Sequence, residues 1–256
     1  MAGMARAGAV TVDAATFAWS GTTVGGKIAE ALQVTGVTVQ GTSYTSLQSP
    51  SLVTGVTIGT GIYHMKPKND PFTPVYPATG TPNQKEAAAA SQMLSNGLYV
   101  RGTSNLRQLD VRFAEAINAG DAAGFFLFDR DGEDTIELKP LDASGNLIAG
   151  WTTGVVSTWH QLLAPSTIDF VDAFTGLDRA GTPDANIGGL AVRLSDFSGG
   201  VGTLTGVYGF RVYDAEGTLD PVTVGRFSTV PEPATVGLLG LGLVGLAARR
   251  KGSCKA

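Results

Sequence analysis

The sequence predicts an all-β protein: an antiparallel β-sandwich of jelly-roll-like character with one or two short helices, followed by a C-terminal transmembrane helix. Two features of the body predict the sandwich, and one of the tail predicts the span. From Val10 to Thr229, short runs rich in Val, Thr, Ile and aromatics alternate with Gly, Asp, Asn and Pro clusters, the rhythm of strands joined by turns. Charged residues are 16% of the chain while glycine fills 35 positions, a balance closer to secreted all-β proteins than to helical cytosolic enzymes. Finally, Ala234 to Ala248 runs without a charge between Pro231-Glu232-Pro233 and Arg249-Arg250-Lys251.

In chain order, strands are expected at 34–39, 52–58, 125–129, 135–141, 189–194 and 208–214. The alternation in Thr135-Ile136-Glu137-Leu138-Lys139 and Phe210-Arg211-Val212-Tyr213 implies one buried and one wet face. Prolines at 67, 71, 74, 77 and 82 make 67–82 a long loop. The following run, Asn83 to Leu94, favours helix and meets a stop signal at Asn96-Gly97. Between 111 and 119, Val111, Phe113, Ala116 and Ile117 fit a strand or a short amphipathic helix equally. No repeat of 20 to 50 residues is visible, which argues against a solenoid or propeller. A unit ending at the proline-rich stretch would hold only about sixty residues without a disulfide, so residues 10–229 are expected to form one domain.

The formal charge of the 256 residues is −4, but four of the basic side chains crowd the last eight positions. Residues 1–230 hold 14 basic and 21 acidic side chains, a net −7. Such a body is repelled by phosphate backbones, and no Lys/Arg stripe interleaves with aromatics, which argues against a nucleic-acid partner. Cys254 is the only cysteine, so neither an intrachain disulfide nor a four-thiolate zinc site is available.

Within the tail, Gly240-Leu241-Gly242-Leu243-Val244-Gly245 spells the dinucleotide-binding GxGxxG. That motif works only inside a βαβ unit with an acidic residue downstream, and here eleven residues follow Gly245, none acidic. The membrane reading accounts for the stretch better, because no polar face interrupts it and it ends at three cations. Fifteen helical residues cover roughly 22 Å against a ~30 Å hydrocarbon core, a gap that snorkelling flanks and bilayer thinning close. The cations set the orientation, C-terminus on the cytoplasmic side.

Val230-Pro231-Glu232-Pro233-Ala234-Thr235, the Gly/Leu-rich helix and Arg249-Arg250-Lys251 together closely resemble the PEP-CTERM sorting signal of Gram-negative bacteria. The resemblance covers about a tenth of the chain and divides 230–256 into motif (231–233), helix (234–248) and basic tail (249–256). It implies recognition by exosortase, a membrane-embedded enzyme, with transient membrane tethering, export, and delivery to the cell surface or an exopolysaccharide matrix. Physically the address is sensible: prolines on both sides of Glu232 keep the backbone extended and open to a protease. Export requires a targeting segment, and Met1 to Ala9 lacks an apolar run while Ala5, Ala7 and Ala9 resemble a small-residue cleavage region. Residues 1–9 are therefore read as the remnant of a signal-peptide cleavage region, with translation expected to start upstream.

Within the body, Asp129-Arg130-Asp131-Gly132-Glu133-Asp134 places Asp129, Asp131 and Asp134 as ligands for a hard cation such as Ca²⁺. It departs from the EF-hand pattern, with Asp134 at the sixth loop position and Pro140 at the twelfth, and the competing reading is a hairpin turning at Asp131-Gly132. His64 and His160 are the only histidines and no GxSxG elbow exists, so no catalytic residue is assigned. Glu115, Glu133, Glu137, Asp169 and Asp172 could supply a glycosidase carboxylate pair but read as a solvated acidic surface. Trp19, Trp151 and Trp159 offer either a sugar-stacking platform or core packing. The expected role is a structural or glycan-binding component rather than an enzyme, with an extracellular hydrolase of matrix polysaccharide as the alternative.

Overall fold

Phe125-Phe126-Leu127-Phe128 sets four large apolar side chains in succession, so a strand holding them must be covered on both faces. The computed structural model describes residues 10–24, 27–57, 62–67, 98, 101–103, 106–118, 121–163, 168–172 and 186–229. The strands are β1 (Val10–Val24), β2 (Lys27–Val39), β3 (Thr42–Tyr44), β4 (Ser46–Gln48), β5 (Leu52–Thr57), β6 (Ile62–Pro67), β7 (Arg101–Thr103) and β8 (Gln108–Ile117). There follow β9 (Ala123–Arg130), β10 (Ile136–Leu141), β11 (Val155–Val156), β12 (His160–Leu163), β13 (Ile168–Asp172), β14 (Ile187–Arg193), β15 (Val207–Asp214) and β16 (Pro221–Ser228). The only helical element among the described residues is a 3-10 turn, Leu194–Asp196. The helix expected at 83–94, most of the proline-rich loop, the leader 1–9 and the tail from 230 lie outside the described residues. No helix among the described residues is long and apolar enough to cross a membrane.

Every strand pairing is antiparallel. One sheet runs β3-β2-β1-β14-β9-β16-β4 with β12 also on β14, a second runs β11-β10-β15-β8-β5, and a third β13-β6-β7. The first two face each other across a core in which Phe113, Leu138 and Phe210 meet Phe125, Leu127 and Val192. Phe125 sits at its centre, its ring 5.4 Å from that of Phe113 and 4.9 Å from that of Phe210.

A second core covers the opposite side of β9. Val10 and Thr11 pair with β14, and a register shift between Val12 and Ala14 then lets β1 continue as a long ribbon with β2. The ribbon packs Val12, Leu32, Val34 and Val37 onto Phe126, Phe128 and Phe227. The sandwich thus carries a third layer, and β9 is buried throughout except at Arg130.

The outer face of the five-stranded sheet is wet, as the alternation predicts. Inward Ile136, Leu138, Phe210 and Val212 alternate with outward Glu137, Lys139, Arg211 and Tyr213. On that face Arg211 grips Asp110 of the neighbouring strand through two bonds, Nε to Oδ1 and Nη2 to Oδ2, both 2.6 Å. Of the segment 111–119, residues 111–117 are strand, and Val111, Phe113 and Ile117 fill the core from β8.

Close packing between β9, β14 and β16 depends on missing side chains. A Cβ on Gly124 would lie 2.5 Å from the Val192 carbonyl oxygen and 2.5 Å from the Phe227 ring. Gly124→Ala is expected to cost about 1–3 kcal/mol, the range for overpacking, read as a lower denaturant midpoint at unchanged m-value.

Candidate functional site

The segment expected to turn as a hairpin at Asp131-Gly132 does something else. Both residues hold positive φ, 71° and 63°, as a tight turn requires. Yet β9 pairs only with β14 and β16, whereas β10 pairs with β11 and β15. The hairpin reading is therefore corrected: the chain crosses here from one sheet to the other. Gly132 approaches Gly188 so closely that a Cβ on either would fall within 3 Å of the other's Cα. Trp159 fastens the crossing, its indole N–H donating to the Asp134 carbonyl at 2.7 Å.

Asp129 and Asp134 come together with Asp214 and Asp220 beneath this crossing. Asp129 is fully buried and accepts from the Asp220 N–H at 2.9 Å and the Gly132 N–H at 3.2 Å. Asp134 accepts from the same Asp220 N–H at 3.2 Å and from the Thr218 hydroxyl at 2.7 Å. Asp214, also fully buried, accepts the N–H groups of Glu216, Thr218 and Leu219 at 2.8, 2.6 and 2.8 Å. Asp220 pairs with Arg130. Burial pushes the Asp129 carboxyl well above the usual range, and the charges of Asp134 and Asp220 push the same way. Burial also raises Asp134, against the lowering effect of its Thr218 and Asp220 donors. Asp131, the third residue of the cation reading, points elsewhere: it is 39% exposed and lies 3.5 Å from the Arg130 Nε. No group of three or more His, Cys, Asp or Glu among the described residues is placed to hold a metal ion. The geometry is that of a clasp closing 129–134 onto 214–220.

A different region is open. The loop at 150–152 is joined to that at 198–200 by a bridge, Thr152 N–H to Ser198 O at 3.0 Å and Ser198 N–H to Thr152 O at 2.8 Å. The bridge presses Trp151 onto Gly200, where a Cβ would stand 2.0 Å from the indole. The backed indole lines a cavity of about 450 Å³ together with Asp121, Arg193, Ser195, Phe197 and Thr203. Its size falls within the ~300–1,000 Å³ of ordinary ligand pockets. Asp121 is fixed by its neighbour, Oδ2 accepting from the Asn118 N–H at 2.7 Å. Arg193 is held by Gln40 Oε1 at 2.6 Å and the Tyr44 hydroxyl at 3.1 Å. The Trp151 indole N–H and the hydroxyls of Ser195 and Thr203 make no hydrogen bond among the described residues.

Asp121 also lines a second cavity, of about 300 Å³, with Gln48, Glu115, Arg226, Ser228 and Thr229. Arg226 is 7% exposed and donates from Nη1 to the Glu115 carbonyl at 2.8 Å. Burial lowers its proton affinity, and the nearby Glu115 and Asp121 charges restore part of it. The Thr229 N–H donates to the Ala122 carbonyl at 3.0 Å, which holds the last described residue beside this cavity.

The remaining candidates are dispersed. His64 stands in β6 and His160 at the start of β12, in different sheets. Glu133 is exposed at the crossing, and Glu137 is bonded by Thr152 at 2.7 Å and Lys139 at 3.0 Å. Asp169 and Asp172 stand in β13, and Trp19 in β1. Trp159 serves the crossing and Trp151 lines the larger of the two cavities described above. Sequence reasoning missed Asp121, Arg193 and Arg226, which come from separate segments without a local motif.

Pro231, Glu232, Pro233, Arg249, Arg250 and Lys251 lie outside the described residues. No curated protein and no solved structure matches the chain. Residues 229–251 match the family described as the PEP-CTERM protein-sorting motif, beginning at Thr229, the residue after β16 and one of those lining the second cavity. The chain therefore carries a PEP-CTERM sorting signal at its C-terminus and is an exported protein, handled as a membrane-anchored precursor by exosortase.

Proposed function

We propose that the exported body is a glycan-binding component of the cell surface or extracellular matrix, with the Trp151 cavity as its sugar site. The supporting observation is the indole backed by Gly200, with its N–H and the Ser195 and Thr203 hydroxyls making no hydrogen bond among the described residues. A sugar ring offers an apolar face to an aromatic and hydroxyls to the polar groups around it. In the precursor, residues 234–248 cross the membrane and Arg249, Arg250 and Lys251 hold the cytoplasmic side.

Glycan-array binding by the full chain, with and without Trp151→Ala, tests the reading. Binding is expected for the parent and lost in the variant, with circular dichroism unchanged. A hydrolase is favoured by one observation, that Glu115 and Asp121 line the same smaller cavity. Release of new reducing ends that Glu115→Gln abolishes would carry that reading instead. The sorting role has its own check: in cells containing exosortase, Glu232→Ala is expected to leave a full-length precursor in the membrane fraction.

A further inference from the structure

We infer that the two cavities meeting at Asp121 are successive subsites for one neutral, hydroxyl-rich polysaccharide, Trp151 taking one ring and the Gln48–Glu115 cavity the next. The inference rests on the reading of the Trp151 cavity as a sugar site and adds the class and length of ligand.

Shared lining is the first argument. Asp121 borders both cavities, and its Asn118 bond leaves Oδ1 without a donor among the described residues. A single carboxylate between two sites suits hydroxyls on adjacent rings, because it accepts several hydrogen bonds at once.

Unused polar capacity is the second. Gln48, Glu115 and Ser228 line the smaller cavity and make no side-chain hydrogen bond among the described residues. Together they offer an amide donor and acceptor, a carboxylate and a hydroxyl. No large aromatic stands with them, so this subsite reads hydroxyls while Trp151 supplies the stacking surface.

Charge decides the class. The two carboxylates are solvent-exposed, whereas Arg226 is nearly covered and Arg193 is engaged by Gln40 and Tyr44. The Nε atoms of both arginines are shut off from solvent. The cavities thus set Glu115 and Asp121 against Arg193 and Arg226 with no net positive charge to attract an anion, and the body as a whole is net negative, so a uronate or sulfated chain is repelled. A neutral chain meets no such barrier.

The test titrates the full chain in lauryldimethylamine oxide, a detergent without a sugar headgroup. Probes are glucose, mannose and galactose, their α- and β-linked di- to tetrasaccharides, and trigalacturonate, read by calorimetry. One neutral series is expected to gain about tenfold or more in affinity from mono- to disaccharide, equivalent to ~1.4 kcal/mol. The pair Gln48→Ala and Glu115→Gln should remove most of that gain and leave monosaccharide affinity unchanged. Trp151→Ala should abolish both, while Trp151→Phe, which keeps a ring over Gly200, should retain part. A chain-length gain untouched by the Gln48/Glu115 pair, no gain at all, or tighter binding of trigalacturonate overturns the two-subsite inference while the Trp151 site stands. If no neutral sugar binds, or binding ignores Trp151→Ala, the sugar-site reading fails and this inference with it.

Discussion

Asp214→Ala is expected to lower the unfolding free energy by about 3 kcal/mol or more. The wild-type carboxylate accepts three backbone N–H groups and stands 3.2 Å from the Thr218 hydroxyl, while fully buried. Alanine leaves the N–H groups of Thr218 and Leu219 without an acceptor, and each such loss costs roughly 1–3 kcal/mol. Relief of repulsion on Asp134 returns part of it. At about 2–4 °C per kcal/mol for a domain of this size, the melting temperature should fall by roughly 6–12 °C. Asp214→Asn, which keeps one acceptor oxygen, should lie between the two. A melting temperature for Asp214→Ala within a degree of the parent would show that the turn after β15 does not depend on this side chain.

The second large effect is one of pH. Asp129 and Asp134 hold protons more tightly folded than unfolded, since burial raises both. Between the ordinary carboxylate value and the raised folded values, the native state binds more protons than the unfolded one. This contribution is fully present below the unfolded value and lost as pH rises through the folded values. The clasp therefore favours stability at mildly acidic pH over neutral pH, opposite to a salt-bridged carboxylate.

Asp134→Asn isolates the effect. The amide resembles the protonated acid: Oδ1 accepts from the Asp220 N–H and Nδ2 donates to the Thr218 oxygen. It also removes the strongest charge acting on Asp129. Melting temperature is expected to rise at pH 7, to rise less at pH 5, and to vary less with pH than in the parent. Cation binding by the same carboxylates predicts the reverse, a loss of stability on Asp134→Asn appearing only in millimolar Ca²⁺, so melts in Ca²⁺ and in chelator separate the two.

Legibility followed the environment of each strand. Where one face is wet, as in β10 and β15, alternation in 135–139 and 210–213 marked both strand and face. Residues 125–129 were also recognisable as strand from their apolar density, but such a run does not say what covers its second face. The covering came from the β1–β2 ribbon, a contact between distant parts of the chain. β16 is not among the strands expected from the sequence, and Pro221 and Gly225 interrupt its apolar run. In the fold, Pro221 is the first strand residue, where proline is tolerated, and Gly225 makes room for the Phe126 ring. At Asp131-Gly132 the sequence reported backbone conformation correctly, as φ shows, but not destination: positive φ permits a sharp change of direction and does not specify which strand waits beyond it. The sorting signal was legible because its chemistry is local, three adjacent elements in one run. The cavity residues were not, because Asp121, Trp151 and Arg193 become neighbours only through tertiary packing.

β16 lies between β9 and β4 and continues directly into the sorting signal from Thr229. A pull on that tail directed along β16 loads the axis of an interior strand. Its cross-strand bonds run perpendicular to that axis, so they are strained together in shear instead of peeling one after another. Resistance to tugging then becomes a matter of how slowly the strand slips, a lifetime under load rather than an equilibrium stability.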